Sequence, residues 1–321
     1  MSKAFVGIDV SKRKLDVALL FGGKIKHKAA SNTPEGFEEL SGWLTRNNAQ
    51  GAHVCMEATS TYGELVATFL FDRGFTVSMV NPSRIKGFAQ SEMSRTKTDK
   101  SDAALIARFC EALKPSAWTP EPPEVRALRA LVRRLDALIG MRGQEANRLE
   151  AAEEVVADRI REHLEYLDDE IKRIRETIDD RIDQTPSLRD KRELLQSIPG
   201  IGPATIGLIL AEFGDVHRFE SAKHLAAFVG ISPRRFESGS SVKGRTRMSK
   251  IGNARIRKAL FMPALVALRH NEAFVAFRQR LLNAGKAKML IVGAAMRKLV
   301  HVIYGVLKSG RPFNAKLAMG A

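Results

Sequence analysis

Between Ala4 and Leu113 short apolar runs alternate with amphipathic stretches in one fixed order, and that order leaves few folds open. Ala4 to Val10 (AFVGIDV) is a short apolar run that closes on an acid, Asp9. Leu15 to Phe21 predicts a second strand, and Gly22-Gly23 turns the chain into a third near Lys24 to Ala29. Thr33-Pro34-Glu35 opens an amphipathic helix to about Asn47. Ala52 to Glu57 predicts a fourth strand, Tyr62 to Arg73 a helix, and Phe75 to Val80 a fifth strand ended by Asn81-Pro82. Helices follow over about Pro82 to Gln90 and Ser101 to Leu113. Three meandering strands followed by βα units give an α/β domain, a mixed sheet with helices on its faces.

The acids of this region fall at the ends of those elements. Asp9 ends the first strand and Glu57 the fourth, which should be neighbours, while Asp99 and Asp102 share a face at the start of the last helix. Asp16, on the second strand, is expected to point away from Asp9. Four acids brought together repel unless a cation neutralises them, and hard oxygen ligands suit Mg²⁺ or Mn²⁺, which polarise a phosphodiester. Each acid also has an ordinary reading, because Thr98 or Asp99 can simply cap the helix. The order β-β-β-α-β-α-β-α is also that of the ribonuclease H fold, although a fold alone does not fix a function.

A Pro-rich stretch, Lys114 to Pro123, reads as a linker. Beyond it Val125, Leu128, Leu131, Leu135 and Leu138 mark one helical stripe, and Leu164, Leu167, Ile171, Ile174 and Ile178 a heptad seam. Their charged flanks predict a solvated helical hairpin or coiled coil, with Gly140 and Gly143 as points where the first helix would bend or break. From about Leu188 the pattern changes, and Ser197 to Gly214 (SIPGIGPATIGLILAEFG) reads as a helix-hairpin-helix. The amides at Gly200 and Gly202 can face a phosphate at the second helix's N-terminus, or the motif is a plain tight turn. The predicted domains are 1–123 (α/β), 124–187 (α-helical coiled coil) and 188–321 (mainly α, with the helix-hairpin-helix).

Pro233 to Lys258 (PRRFESGSSVKGRTRMSKIGNARIRK) holds nine Lys or Arg against one acid, Glu237. Arg234, Arg235, Lys243, Arg245, Arg247 and Lys250 are candidate phosphate contacts. Ser238, Ser240 and Ser241 lie among them. Cations and a metal can activate a serine for attack on phosphorus, or the serines merely hydrogen-bond the backbone of a phosphate-binding loop. The tyrosines are poorer nucleophile candidates: Tyr62 suits a helix start, Tyr166 the coiled coil and Tyr304 an apolar helix.

Composition points to the same partner. Over 321 residues, 52 Lys and Arg against 36 Asp and Glu give a net charge of +16, which favours a polyanion. The most apolar stretch, Met289 to Leu307, is interrupted by Arg297, Lys298 and His301 and reads as a buried helix rather than a membrane span. With a strand pattern almost at residue 1 and two cysteines in apolar surroundings, Cys55 and Cys110, neither a signal peptide nor a disulfide or zinc framework is expected, which suggests a cytoplasmic protein.

Five segments taken together, GIDVSKRKLDV, MEATSTYGELVA, NPSRIKGFAQSEMSRTKTDKSDA, SIPGIGPATIG and FESGSSVKGRTRMSKIGN, resemble the DEDD transposases of bacterial insertion sequences. These are similar to recombinases guided by a bridge RNA that the same element encodes. The resemblance covers nearly the whole chain in order. It implies a RuvC-like domain, related to junction resolvases, whose catalytic and metal-binding acids are Asp9, Glu57, Asp99 and Asp102. It also implies a nucleophilic serine at Ser238 in a C-terminal transposase domain. The implied partners are donor and target DNA, a guide RNA and further copies of the chain. Dimers would be joined by the coiled coil and assemble to tetramers on two DNA duplexes, with sites composed from two subunits. The resemblance departs at Ser60, where these transposases usually have glycine. Two rivals remain: a junction resolvase or nuclease using metal-activated water, and a non-catalytic nucleic-acid-binding regulator. A sugar-kinase-like ATPase shares Gly-Ile-Asp but should carry a second Gly-rich phosphate loop, which is not found.

Overall fold

A computed structural model of the chain describes residues 3–58, 62–93, 98–234, 237–238, 242–243 and 247–316, with the backbone alone at 237–238 and 242–243. Two compact units result, Met1–Pro120 and Glu121–Ala321.

In the first unit β1 (Phe5–Val10), β2 (Lys14–Phe21) and β3 (Lys24–Ser31) form an antiparallel meander. Gly22 and Gly23 turn β2 into β3 with φ of 57° and 75°, the two positive values a tight hairpin turn demands. α1 (Pro34–Arg46) begins where Thr33 Oγ1 accepts the Gly36 amide. β4 (His53–Glu57), α2 (Tyr62–Asp72) and β5 (Thr76–Val80) follow, then α3 (Pro82–Ser91) and α4 (Asp99–Leu113). β4 lies parallel to both β1 and β5, so the strand order is β3-β2-β1-β4-β5. The mixed sheet and its helices therefore follow the expected order.

Strand alternation sorts the side chains into two cores. Val6, Ile8, Leu15, Val17, Leu19, Val54 and Met56 face α1 and α2. Phe5, Ala18, Leu20 and Cys55 face α4. Gly7 belongs to the second set. A Cβ there would stand 2.1 Å from the Ala103 carbonyl oxygen and 2.3 Å from the Ala107 amide nitrogen, so only glycine lets α4 lie this close. Gly7→Ala should therefore cost about 3 kcal/mol or more in urea unfolding. A variant within experimental error of the parent would refute this account of how α4 seats on β1.

The second unit is helical. α5 (Pro123–Glu150) and α6 (Glu154–Gln184) form an antiparallel hairpin. Leu138, Leu167 and Ile171 are buried together along it, and at its base Val125, Leu128, Val132, Ile178 and Ile182 enter the main core. α5 runs unbroken through Gly140 and Gly143, so neither glycine breaks the helix. Glycine costs a helix only about 1 kcal/mol per residue. Around the two glycines, Leu138 packs into the seam and Arg142 donates two bonds to Asp168 at 2.6 and 3.1 Å.

Next come α7 (Pro186–Gln196), α8 (Pro203–Phe213), α9 (Ala222–Val229) and four two-residue strands: β6 (Pro233–Arg234), β7 (Glu237–Ser238), β8 (Val242–Lys243) and β9 (Arg247–Met248). α10 (Ala254–Ala259), α11 (Phe261–His270), α12 (Glu272–Asn283) and α13 (Lys288–Ser309) complete the unit. α13 is the Met289 to Leu307 segment, and by length and composition alone it could span a membrane. Ile291, Val292, Ala295, Met296, Leu299, Val300, Ile303 and Val306 instead enter the core of this unit.

Candidate functional site

The carboxylates assemble from backbone geometry first. Ile8 pairs with Met56 in the parallel β1–β4 ladder, so Asp9 and Glu57 each follow that rung on adjoining strands. Both lie two residues beyond α4-facing positions, Gly7 and Cys55, and so share the α4 face. α4 starts at that edge of the sheet. Its cap is a reciprocal pair, the Thr98 hydroxyl accepting the Ser101 amide at 3.1 Å and the Ser101 hydroxyl accepting the Thr98 amide at 2.8 Å. Capping is thus supplied by Thr98 and Ser101, and Asp99 and Asp102 in the first turn are not used for it. Half-buried Asp9 titrates above the ordinary carboxylate range, because burial and then the charges of Asp102, Asp99 and Asp16 oppose its ionisation. Its electrostatic neighbours thus include both α4 acids.

Asp16 corrects the expectation from sequence. It is the direct antiparallel partner of Asp9, and partners share a face, so it joins the acids rather than pointing away. The three residues 11–13 between the strands set this register. Asp16 is only 6% exposed and receives Lys14 Nζ at 2.8 Å; Lys14 also stands 3.8 Å from Asp99. The hydrogen bond to Asp16, then the charges of Asp16, Asp99 and Asp9, hold the Lys14 ammonium above its ordinary pKa. Asp16 thus joins Asp99 and Asp102 as a charged neighbour of Asp9, with Lys14 bridging Asp16 and Asp99, while Glu57 stands on the adjoining strand by backbone register.

Among the described residues the carboxylates do not close to ligating separation as a group of three. His53, Cys55 and Cys110 do, their ligand atoms lying within 4.8 Å of one another between β4 and α4. Cys110 Sγ donates to the His53 carbonyl oxygen at 3.4 Å, and its contact with Cys55 together with burial pushes its thiol far up. Both cysteines are buried in the core, and Cys110 is a protonated thiol there. Their approach was invisible in spacing because the two cysteines are far apart in the chain.

In the helix-hairpin-helix, Gly200 adopts φ of 102°, and a Cβ there would meet Pro263 O and Ala267 N of α11 at 3.1 Å. Its glycine character serves that close approach. Gly202 is exposed at the N-terminus of α8, and a Cβ there would meet nothing, so no close packing requires a glycine at this position.

The basic segment folds as an arm, not a plain loop. β6 pairs with β9 (Arg234 opposite Arg247) and β7 with β8 (Glu237 opposite Lys243, Ser238 opposite Val242). Ser238 is the last described residue of β7. Arg234 and Arg247 are exposed, as is Lys250, which holds φ of 57°. Two like charges directly opposite destabilise a ladder, and a polyanion would relieve this. Arg235, Ser240, Ser241 and Arg245 lie outside the described residues, as does Ser60; of Ser238 and Lys243 only the backbone is described.

The arm is anchored at its root. Ser249 N donates to Ser232 O, Lys250 N to Gly230 O and Asn253 N to Phe228 O. Buried Glu212 accepts Asn253 Nδ2 at 2.8 Å and pairs with Arg255, which also holds Asp136. Gly252 sits at φ of 142°, where a Cβ would be 2.4 Å from Phe228 O. Gly252→Ala should free the arm, raising its cleavage rate in limited proteolysis by about tenfold or more; an unchanged digestion pattern would show that the anchor lies elsewhere.

Of the tyrosines, Tyr304 spends its hydroxyl on Phe219 O at 3.0 Å, while Tyr62 and Tyr166 are exposed, Tyr62 at the start of α2 and Tyr166 on the hairpin.

A chain with one mixed α/β unit carrying grouped acids and one helical unit carrying a cationic arm suits an enzyme of DNA strand transfer. Comparison with known proteins agrees: residues 6–152 match the DEDD transposases of the IS110 type, and residues 192–279 match the transposase IS116/IS110/IS902 family. The pilin gene-inverting protein of Moraxella bovis is 35% identical over 320 residues, 99% of each chain. The corresponding protein of Moraxella lacunata is 34% identical over the same share. The transposase of insertion sequence element IS1111A from Coxiella burnetii is 26% identical over 68% of this chain and 66% of its own. The chain belongs to the IS110 family of transposases, which are DNA recombinases.

Proposed function

We propose that this transposase cleaves and rejoins donor and target DNA through a phosphoserine at Ser238, at a divalent cation held by Asp9, Glu57, Asp99 and Asp102. The observation that carries the metal site is the placement of acids at two adjoining strand ends and one helix start, with Asp9 raised by burial and then by Asp102, Asp99 and Asp16. Such hard oxygen donors fit Mg²⁺ or Mn²⁺, which would polarise the phosphodiester and stabilise charge on the attacking and leaving oxygens. The strand order β3-β2-β1-β4-β5, with acids on its central pair, supports a ribonuclease H-like, RuvC-like reading of the first unit.

In the first step Ser238 Oγ loses its proton to solvent and attacks phosphorus. The bond to the leaving strand's oxygen breaks, and that oxygen departs as a free hydroxyl. In the second step a hydroxyl of the incoming strand attacks the same phosphorus, breaks the serine ester and restores the Ser238 hydroxyl. Arg234, Arg235, Lys243, Arg245, Arg247 and Lys250 hold backbone phosphates, with Gly200 and Gly202 at a further phosphate contact, and supply affinity rather than sequence choice. Sequence choice comes from a guide RNA pairing with both DNAs, a reading that rests on the family resemblance. The exposed apolar residues Ile139, Met141, Val155, Val156 and Tyr166 support pairing of the α5–α6 hairpin with that of another copy as a coiled coil, giving dimers that join as tetramers on DNA. The hairpin, 124–187, then acts as a middle domain between the nuclease domain, 1–123, and the transposase domain, 188–321, in an enzyme working at the bacterial nucleoid.

The end-to-end match to the pilin gene-inverting proteins favours a second reading of the outcome, inversion of a segment within one DNA molecule by the same steps. Incubation with labelled DNA, guide RNA and Mg²⁺ followed by a denaturing gel tests the chemistry. A protein–DNA adduct whose peptide maps to Ser238 is expected. Cut DNA without any adduct would establish hydrolysis by water instead.

A further inference from the structure

A cavity of about 650 Å³ opens between α12, α13 and the following residues 311–314, remote in sequence from the arm and the acids. That volume is in the range of small-ligand sites, roughly 300–1,000 Å³. Its chemistry is unusual for a structural void. Arg297, Lys298 and Arg311 line it together with the rings of Phe277 and Phe313, and no described lining residue is acidic. The Phe277 ring carries Arg280 and Lys298 against it, each 5.4 Å from the ring centre. His301, from the middle of α13, also faces the cavity. Its Nε2 is buried without a hydrogen-bond partner among the described residues. A buried polar atom left unpaired is costly unless a ligand completes it. Burial, then Arg297, Lys223 and Lys298, keep the imidazole pKa low, so the ring is neutral and can donate or accept.

We propose that this cavity seats one unpaired nucleotide of bound nucleic acid, its base against Phe277 or Phe313, its polar edge toward His301, and its phosphate on Arg297, Lys298 and Arg311. Aromatic faces and cations together are what single-stranded nucleic acid needs, since every base offers a π-face and every residue of it a phosphate. An apolar peptide would bring no anion to the basic lining, and a free phosphate would leave the rings unused. Unpaired nucleotides arise both in a folded RNA and in DNA strands being exchanged, and the seat accepts the chemistry common to both. The assignment builds on the chain acting on nucleic acid and adds a site outside the proposed reaction centre.

The test uses the full-length protein and labelled duplexes, fully paired or carrying one unpaired nucleotide, in DNA and in RNA forms. The unpaired nucleotide should tighten binding about tenfold in at least one form, and Phe277→Ala should abolish that preference. Because Phe277 also packs, the partly exposed His301→Gln and the exposed Arg311→Ser are measured beside it; both should reduce the preference at least threefold while leaving paired-duplex binding within twofold. A photoreactive 5-iodouracil at the unpaired position should crosslink within residues 277–314. If the variants weaken paired and unpaired probes equally, the cations hold backbone only and the base seat is wrong. If the crosslink maps elsewhere, the seat is likewise overturned. If the protein binds no nucleic acid of any form, the recombinase reading itself falls, an outcome distinct from either.

Discussion

Replacing Ser238 by alanine should abolish the covalent adduct and lower strand exchange by roughly 10⁴-fold or more, with DNA binding nearly unchanged. The substitution removes one oxygen. It leaves the cations that dominate affinity for a phosphate backbone, so the binding curve and its salt dependence should persist. It also leaves the backbone rung between Ser238 and Val242. Ser240→Ala and Ser241→Ala form the necessary comparison, because both serines follow Ser238 within three residues in the same basic segment. Their exchange rates should stay within about tenfold of the parent if Ser238 alone is the nucleophile. An adduct that survives Ser238→Ala and vanishes in Ser240→Ala would move the nucleophile two residues along. Adducts in all three would end the phosphoserine reading.

That the arm is a hairpin at all was not legible in the sequence. Its strands are two residues long, rich in arginine and lysine, and interrupted by Gly239 and Gly244, so neither alternation nor β-propensity marks them. Their pairing is imposed from the root, where Gly230, Gly252 and Asn253 bring the two ends together. The first unit is the opposite case. Its strands are short apolar runs, its turns carry Gly-Gly and Asn-Pro, and Thr33, Asn81 and Thr98 cap its helix starts, so local preference and the final sheet agree. Asp9 and Glu57 could be paired from the sequence because they close strands whose adjacency the element order dictates. Asp16 could not be placed without the register, since a slip of one residue reverses its face. The cavity beside α13 was hidden for another reason. Arg297, Lys298 and His301 read as interruptions of an apolar helix, and only the position of α12 and residues 311–314 shows that they line one space.

The Asp9→Asn protein should be inactive yet more stable than the parent when divalent cations are chelated. Asp9 has a folded-state pKa above the ordinary carboxylate value, so the folded state holds this proton more tightly than the unfolded chain does. The sign follows directly: ionising Asp9 costs the fold stability, a cost absent in acid and fully present at neutral pH. Asparagine keeps the shape and removes the charge, so the melting temperature in chelator should rise by a few degrees. Titrating Mg²⁺ or Mn²⁺ should stabilise the parent progressively, as a ligand bound only by the folded state must, and the variant much less. Strand cleavage should fall by about 10³-fold or more, as when a group that stabilises transition-state charge is removed. Glu57→Gln should share the loss of activity and of cation response. Asp16→Asn separates the two roles, because Asp16 is held by Lys14 and its charge is already compensated. Its melting temperature in chelator should not rise, since Lys14 would lose its closest acceptor. A lower melting temperature for Asp9→Asn in chelator, with the parent indifferent to cation, would make Asp9 an ordinary structural acid. Each of the other carboxylates would then need its own reason for standing at that edge of the sheet.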